Sequence, residues 1–255
     1  MIIFYFTSTG NSLAVAKRIG GNLISIRQLM HLPNLKYKDD AIGIVFPIYS
    51  LEPPKMVSQF LEKVKLEADY IFAIGTYGKL SGAAMFNLQK QAEKIGFGFD
   101  YTASLLMVDN FLPVYDIDNQ IAQLPKKRTE EMTAKIVEDI HNRKHTQAAA
   151  SLGIRALNNI LRILDNEASI CKQAQSYIIN EDCNRCSVCA KVCPTGNITI
   201  TDRPQFNSQC IACEACVHQC PQNAIHMKRE RSSKRWRNPE VSLKEIIEAN
   251  NLTKS

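Results

Sequence analysis

Two cysteine runs, Cys183-x2-Cys186-x2-Cys189-x3-Cys193-Pro194 and Cys210-x2-Cys213-x2-Cys216-x3-Cys220-Pro221, repeat one another 27 residues apart and hold eight of the chain's nine cysteines. Thiolates at this spacing suit the corners of iron–sulfur cubes, with the fourth cysteine of each run ligating the other cluster. On that rule Cys183, Cys186, Cys189 and Cys220 hold one 4Fe–4S cluster, and Cys210, Cys213, Cys216 and Cys193 hold a second. The chemistry expected is one-electron transfer. Pro194 and Pro221 stop each local turn, because proline lacks an N–H and fixes φ. A disulfide framework needs an oxidising compartment, and structural zinc uses separated C-x2-C pairs, so both fit this pattern less well.

The duplication continues beyond the prolines, Ile198 matching Ile225 and Ile200 matching Met227. The unit from about residue 175 to 228 resembles a bacterial-type two-cluster ferredoxin, a small α+β fold. Cys171 lies outside both runs and reads as an inert thiol. His218, between two ligands of the second run, reads as a surface residue.

A second chemical signal opens the chain. Ile2 to Phe6 reads as a buried strand, and Leu13 to Ile19 has helical spacing ended by Gly20 and Gly21. Between them lies Thr7-Ser8-Thr9-Gly10-Asn11-Ser12, a hydroxyl-rich loop at a helix N-terminus, where free N–H groups and the helix dipole favour an anion. The loop has no lysine and is neither a P-loop nor GxGxxG; an ordinary capped helix start is the plainer alternative. It resembles the phosphate loop of flavodoxins, T/S-x-T-G-N-T/S, which holds FMN phosphate with neutral donors.

Two further strands, Ala41 to Phe46 and Tyr70 to Gly75, run into loops that precede helices, the first reaching Val64 and the second Ile95. Phe97 to Met107 supplies a later strand, and Asp109 to Pro113 follows it. Such alternation predicts a doubly wound parallel sheet of five strands with its ligand at the carboxyl edge. The flavodoxin resemblance implies that loops 47–50 (Pro47, Ile48, Tyr49, Ser50) and 76–82 (including Thr76, Tyr77, Gly78 and Gly82) flank the flavin ring. Tyr49 or Tyr77 would stack on it, or serve simply as packing.

Thr129 to Arg143 places Met132, Ile136 and Ile140 on one helical face, expected to pack on the sheet. Leu152 to Leu164 carries an apolar stripe expected to be core, on a helix suited to an interdomain spacer. The organisation expected is a flavodoxin-like α/β domain (1–145), a helical linker (146–174), the ferredoxin unit (175–228) and a basic C-terminal extension (229–255). That extension holds the single Trp, at 236, and a helix from Leu243 to Ala249 that would fold back on the body.

The formal charge is +6, and six basic residues against one acid between Lys228 and Arg237 account for most of it. Each oxidised cluster with its four thiolates carries about −2, which offsets much of that excess. An acidic redox partner explains the basic strip as well as nucleic acid would, and no nucleic-acid role is expected. No apolar run reaches the roughly 20 residues of a membrane helix, and Met1 to Phe6 is too short for a signal sequence. A cytoplasmic protein is expected.

Over nearly its full length the chain resembles the flavodoxin/ferredoxin fusion proteins of anaerobic bacteria and archaea. The resemblance implies FMN and two 4Fe–4S clusters in one electron relay serving a redox partner. Two alternatives stay open: an FMN-dependent reductase of a quinone or electrophilic organic compound, and a regulatory iron–sulfur module whose flavodoxin domain lacks flavin.

Overall fold

The computed structural model describes residues 1–164 and 177–252; Cys171 lies outside the described residues. Five parallel strands form the central sheet: β1 (Ile2–Tyr5), β2 (Asn22–Ser25), β3 (Ala41–Pro47), β4 (Tyr70–Tyr77) and β5 (Tyr101–Leu106). Their spatial order is 2-1-3-4-5, the flavodoxin-like doubly wound arrangement. The strands are Val-, Ile- and Phe-rich because both faces of a parallel sheet are covered. Ile3, Tyr5, Val45, Phe72 and Ile74 point to one face and pack on Leu13 and Ala16 of α1 (Asn11–Ile19). Phe4, Phe6, Ile44, Phe46 and Ala73 point to the other, against α2 (Lys55–Lys63) and α3 (Ala84–Lys94). This is the period of two that a strand imposes. Gly43 lies in β3 because a Cβ there would come within 2.2 Å of the Phe72 ring.

Edge strand β2 is too short and irregular for its pattern to announce it in the sequence. Leu35–Lys38 and Val64–Glu67 form a separate parallel ladder beside the main sheet. Helix α4 (Thr129–His141) docks on the sheet through Ile136 and Ile140, as expected. Met132 instead stays exposed, and Thr129 and Thr133 take the buried stripe. The Thr133 hydroxyl satisfies itself on the Thr129 carbonyl at 2.7 Å, which lets a polar residue face inward.

After residue 145 the chain still follows the sheet: Thr102 N–H donates to the Thr146 carbonyl and Ala148 N–H to the Thr102 hydroxyl. Helix α5 (Leu152–Leu164) departs from the core expectation, since Leu152 is 79% and Leu157 50% exposed. It docks by its polar side. The buried Asn158 amide donates to the Leu51 carbonyl and the Glu52 carboxylate and accepts from Ala83 N–H, turning the apolar stripe outward.

The cysteine-rich part contains two short antiparallel ladders, Ile178–Ile179 with Ile225–His226 and Ile198–Ile200 with Pro204–Phe206. It also has two single helical turns, Val188–Lys191 and Ala215–His218. Its core mixes Val217, Ile225, Met227 and Trp236 with Val108, Leu112 and Ile117 from the sheet domain. Val192, Ala215, Val241 and Ile246 reciprocally join the core of the sheet. The two modules interlock. The C-terminal segment, ending in α6 (Leu243–Asn250), folds back on α1 and β2 as expected, through Lys17–Glu245, Arg18–Glu240 and Ser25–Ala249 contacts.

Candidate functional site

The cysteine repeat is a repeat of backbone as well as sequence. Arg185, Ser187 and Gly196 have φ of 59°, 62° and 65°, and their counterparts 27 residues on, Ala212, Glu214 and Asn223, have 50°, 55° and 48°. Left-handed conformations at non-glycine residues cost on the order of 1 kcal/mol or more each. Here they turn the chain around the sulfurs and aim amides at them. Asn197 N–H donates to Cys193 Sγ and Ala224 N–H to Cys220 Sγ, both at 3.3 Å, and Ala212 N–H donates to Cys210 Sγ at 3.3 Å. Such bonds favour the anionic sulfur and raise the potential of any cluster it holds.

The sulfurs gather in two neighbourhoods. Cys183, Cys186, Cys189 and Cys220 line one cavity with Ile200, Pro204 and Ile225. Burial pushes the Cys189 thiol up to about 12, with Cys220, Cys186 and Cys183 adding to the shift. Burial also raises Cys216 well above its ordinary value, and its next contributors are Cys213, Cys193 and Cys210. Crowded, desolvated thiols resist ionising on their own; bound iron would displace their protons, so the donor set fits iron–sulfur clusters.

The second neighbourhood abuts the carboxyl edge of the sheet. Glu214, buried between Cys213 and Cys216, accepts the Leu112 N–H through Oε2 at 3.0 Å, while its Oε1 is buried without a hydrogen-bond partner. His218 is 4% exposed rather than on the surface. Its ring is held by partners the local sequence does not reveal: Nδ1 accepts the Trp236 N–H at 3.0 Å, and Nε2 donates to the Asn110 carbonyl at 2.7 Å. Arg27, from the turn after β2, packs against the loop that follows Cys193, where a Cβ on Gly196 would stand 3.1 Å from its Nη2. Its Nε is buried with no partner.

The loops singled out in the sequence converge at that edge. Ser8 Oγ meets the Tyr49 hydroxyl at 2.7 Å, Ser12 Oγ meets Thr76 Oγ1 at 2.8 Å, and Asn110 donates to Thr9 Oγ1 at 2.5 Å. Thr7 Oγ1 accepts the Gly10 N–H at 3.2 Å. Loop 7–12 is thus tied to loops 47–50, 76–82 and 108–113. Helix α1 has no acidic residue in its first turn, and its first N–H groups lack intrahelical partners as in any helix. This neutral, hydroxyl-rich donor set fits a phosphate monoester. Pro47 and Ile48 close β3, with Ile48 buried, and Ser50 and Leu51 form a tight turn at φ 46° and 65°. Gly78 is required where it stands, since a Cβ would overlap the Asp109 carboxylate at 2.3 Å; a Cβ on Gly82 would meet Asn158 at the same distance. Burial raises the Asp109 carboxyl above its ordinary value, opposed by the Phe111 N–H and the Lys127 charge.

Tyr49 belongs to the flavin-side loops. Half-buried, its hydroxyl is on Ser8, and burial foremost, then the charge of a Cys213 thiolate, hold its phenol well above the ordinary value. Tyr77 is likewise half-buried and packs with the Phe46 side of the core. The residues at these sites that the sequence did not disclose are Arg27, Asn110, Glu214, His218 and Trp236. The only advance signal among them was the placement of Asn110 in the loop after β5.

Residues 182–225 match the family described as "4Fe-4S dicluster domain". No curated protein matches the chain. Among solved structures the chain is similar to a putative flavoprotein from Bacteroides uniformis, at 18% identity over 42% of this chain and 90% of that one, with a TM-score of 0.35. It is also similar to Megasphaera elsdenii flavodoxin, at 21% identity over 53% and 99% of the two chains, with a TM-score of 0.31. Independently of these, strand order makes the sheet flavodoxin-like. Among the described residues no helix is long and apolar enough to cross a membrane.

Proposed function

We propose that the protein relays electrons between two 4Fe–4S clusters and an FMN held at the sheet's carboxyl edge. One observation carries this reading: the second cysteine neighbourhood touches the loops that would hold the flavin. Glu214 and His218 bond the backbone of loop 108–113 at Leu112 and Asn110, and the Asn110 side chain donates to Thr9 of the phosphate loop. Cys210, Cys213, Cys216 and Cys193 would hold the inner cluster, and Cys183, Cys186, Cys189 and Cys220 the outer one. Cys186 is exposed, so the outer cluster is the port for a partner.

Bound FMN would supply conversion between one- and two-electron transfer, since each cluster passes electrons singly. The chain's own groups do the rest. Ser8, Thr9 and Ser12 with the α1 amides bind the phosphate, and Thr76, Tyr77 and Gly78 border the ring. The interlocked core keeps the second cysteine run bonded to loop 108–113. The basic strip is partly consumed within the protein, Arg235 pairing with Glu230 and Lys234 with Asp118. Lys228, Arg229 and Arg231 remain exposed and suit an acidic redox protein, whose association should weaken with salt.

Anaerobic purification followed by iron and flavin analysis, then mixing with a reduced low-potential protein donor, tests the reading. Bleaching of cluster absorbance followed by flavin reduction is expected. A protein that retains iron but never binds FMN would contradict it and favour the regulatory alternative.

A further inference from the structure

The segment that crosses back from the cysteine module runs directly over the phosphate loop and bonds it at three points. Asn238 N–H donates to the Thr9 carbonyl at 2.9 Å, and the Asn250 amide donates to the Thr7 carbonyl at 3.1 Å. Trp236 Nε1 and Asn238 Nδ2 both donate to Asn11 Oδ1 at 3.2 Å, while Asn11 Nδ2 is spent on the Val108 carbonyl. Contact is close: a Cβ on Gly10 would stand 3.1 Å from both Asn238 and Val241.

These bonds have a directional consequence. A peptide group is planar and trans, so its N–H points opposite to its C=O. Holding the Thr7 and Thr9 carbonyls toward the strap turns the N–H groups of Ser8 and Gly10 away from it, into the loop, where Gly10 N–H lies on Thr7 Oγ1. A flip of either peptide would present a carbonyl oxygen to an anion in place of a donor.

We propose that residues 231–250 complete the flavin-phosphate site, with Asn250, Asn238 and Trp236 as positioning residues that hold the Thr7–Ser12 loop in its anion-binding form. The proposal rests on the reading that this loop takes the FMN phosphate. The strap is also bonded to the inner cysteine helix through Trp236 N–H on His218 and to loop 108–113 through Arg231 N–H on the Leu112 carbonyl at 2.9 Å. Cofactor retention in the first part of the chain therefore depends on residues more than 200 positions away in sequence.

The test uses the full-length, iron-loaded, flavin-stripped protein, with FMN and riboflavin as probes followed by flavin fluorescence quenching. Wild type should bind FMN far more tightly than riboflavin. Asn250→Ala and the milder Trp236→Phe should each weaken FMN by roughly three- to tenfold, the worth of one lost hydrogen bond, leaving riboflavin affinity and iron content unchanged. Unchanged FMN affinity in both variants, or an equal fall for riboflavin, would overturn the proposal. If wild type did not distinguish FMN from riboflavin, the phosphate-loop reading would fail, and the strap's role with it.

Discussion

In the first cysteine run Asn184, Arg185 and Cys186 face solvent; in the second their counterparts Ile211, Ala212 and Cys213 are half-buried, and Glu214 through Gln219 are buried. The backbones match at every left-handed residue, and Cys193 and Cys220 accept equivalent N–H bonds at the same distance. What differs is everything outside the repeat. The second run meets Leu112 and Asn110 of the sheet domain and lies under Trp236 of the strap, while the first borders a cavity walled by its own module. On the proposed reading, duplication supplies two equivalent ligand sets, and docking makes one an inner station and the other a port.

The hardest blow to that comparison comes through the cysteines that link its halves. Cys220→Ser should remove the same EPR signal as Cys183→Ser, and Cys193→Ser the same as Cys213→Ser, each with iron falling by about half. Loss that follows the run bearing the mutation would break the crossed assignment. Next in size is the inner station's cover. Trp236→Ala should cost about 3–5 kcal/mol in denaturant unfolding, as large-to-small core changes do, whereas Arg185→Ala at the solvent-facing run should stay within about 0.5 kcal/mol.

Thr9→Ala with Ser12→Ala should weaken FMN by roughly ten- to a hundredfold through two lost donors to a charged group, with both clusters retained by iron analysis. The smallest expected effect is the most selective. Arg27→Gln removes a cation packed beside the inner set and should lower the inner midpoint potential alone in an EPR-monitored titration; Arg27→Lys should restore part of it. Equal shifts of both clusters would place Arg27's influence elsewhere.

The cysteine repeat was legible because its spacing is local, and the sheet because buried parallel strands are long runs of Ile, Val and Phe. Strand β2 was not: Asn22 to Ser25 is four residues at an edge, with no repeating pattern to display. The turns at Arg185, Ser187, Ala212 and Glu214 were hidden for another reason, since none is glycine and residue type does not announce a left-handed conformation. His218 and Met132 show the limit most plainly. His218 is buried because Asn110 and Trp236, distant in sequence, meet it, and Met132 is exposed because the threonines beside it could satisfy their own hydroxyls. Long-range partners decide such cases, and a one-dimensional pattern does not contain them.

The central claim is that electrons reach the flavin through the inner cluster. The direct measurement is anaerobic stopped-flow mixing of Cys213→Ser, with its outer cluster and FMN verified, against a reduced low-potential protein donor. Cluster bleaching at the wild-type rate with the flavin left oxidised is the predicted result. Flavin reduction as fast as in wild type would show that the inner cysteine set is not on the path.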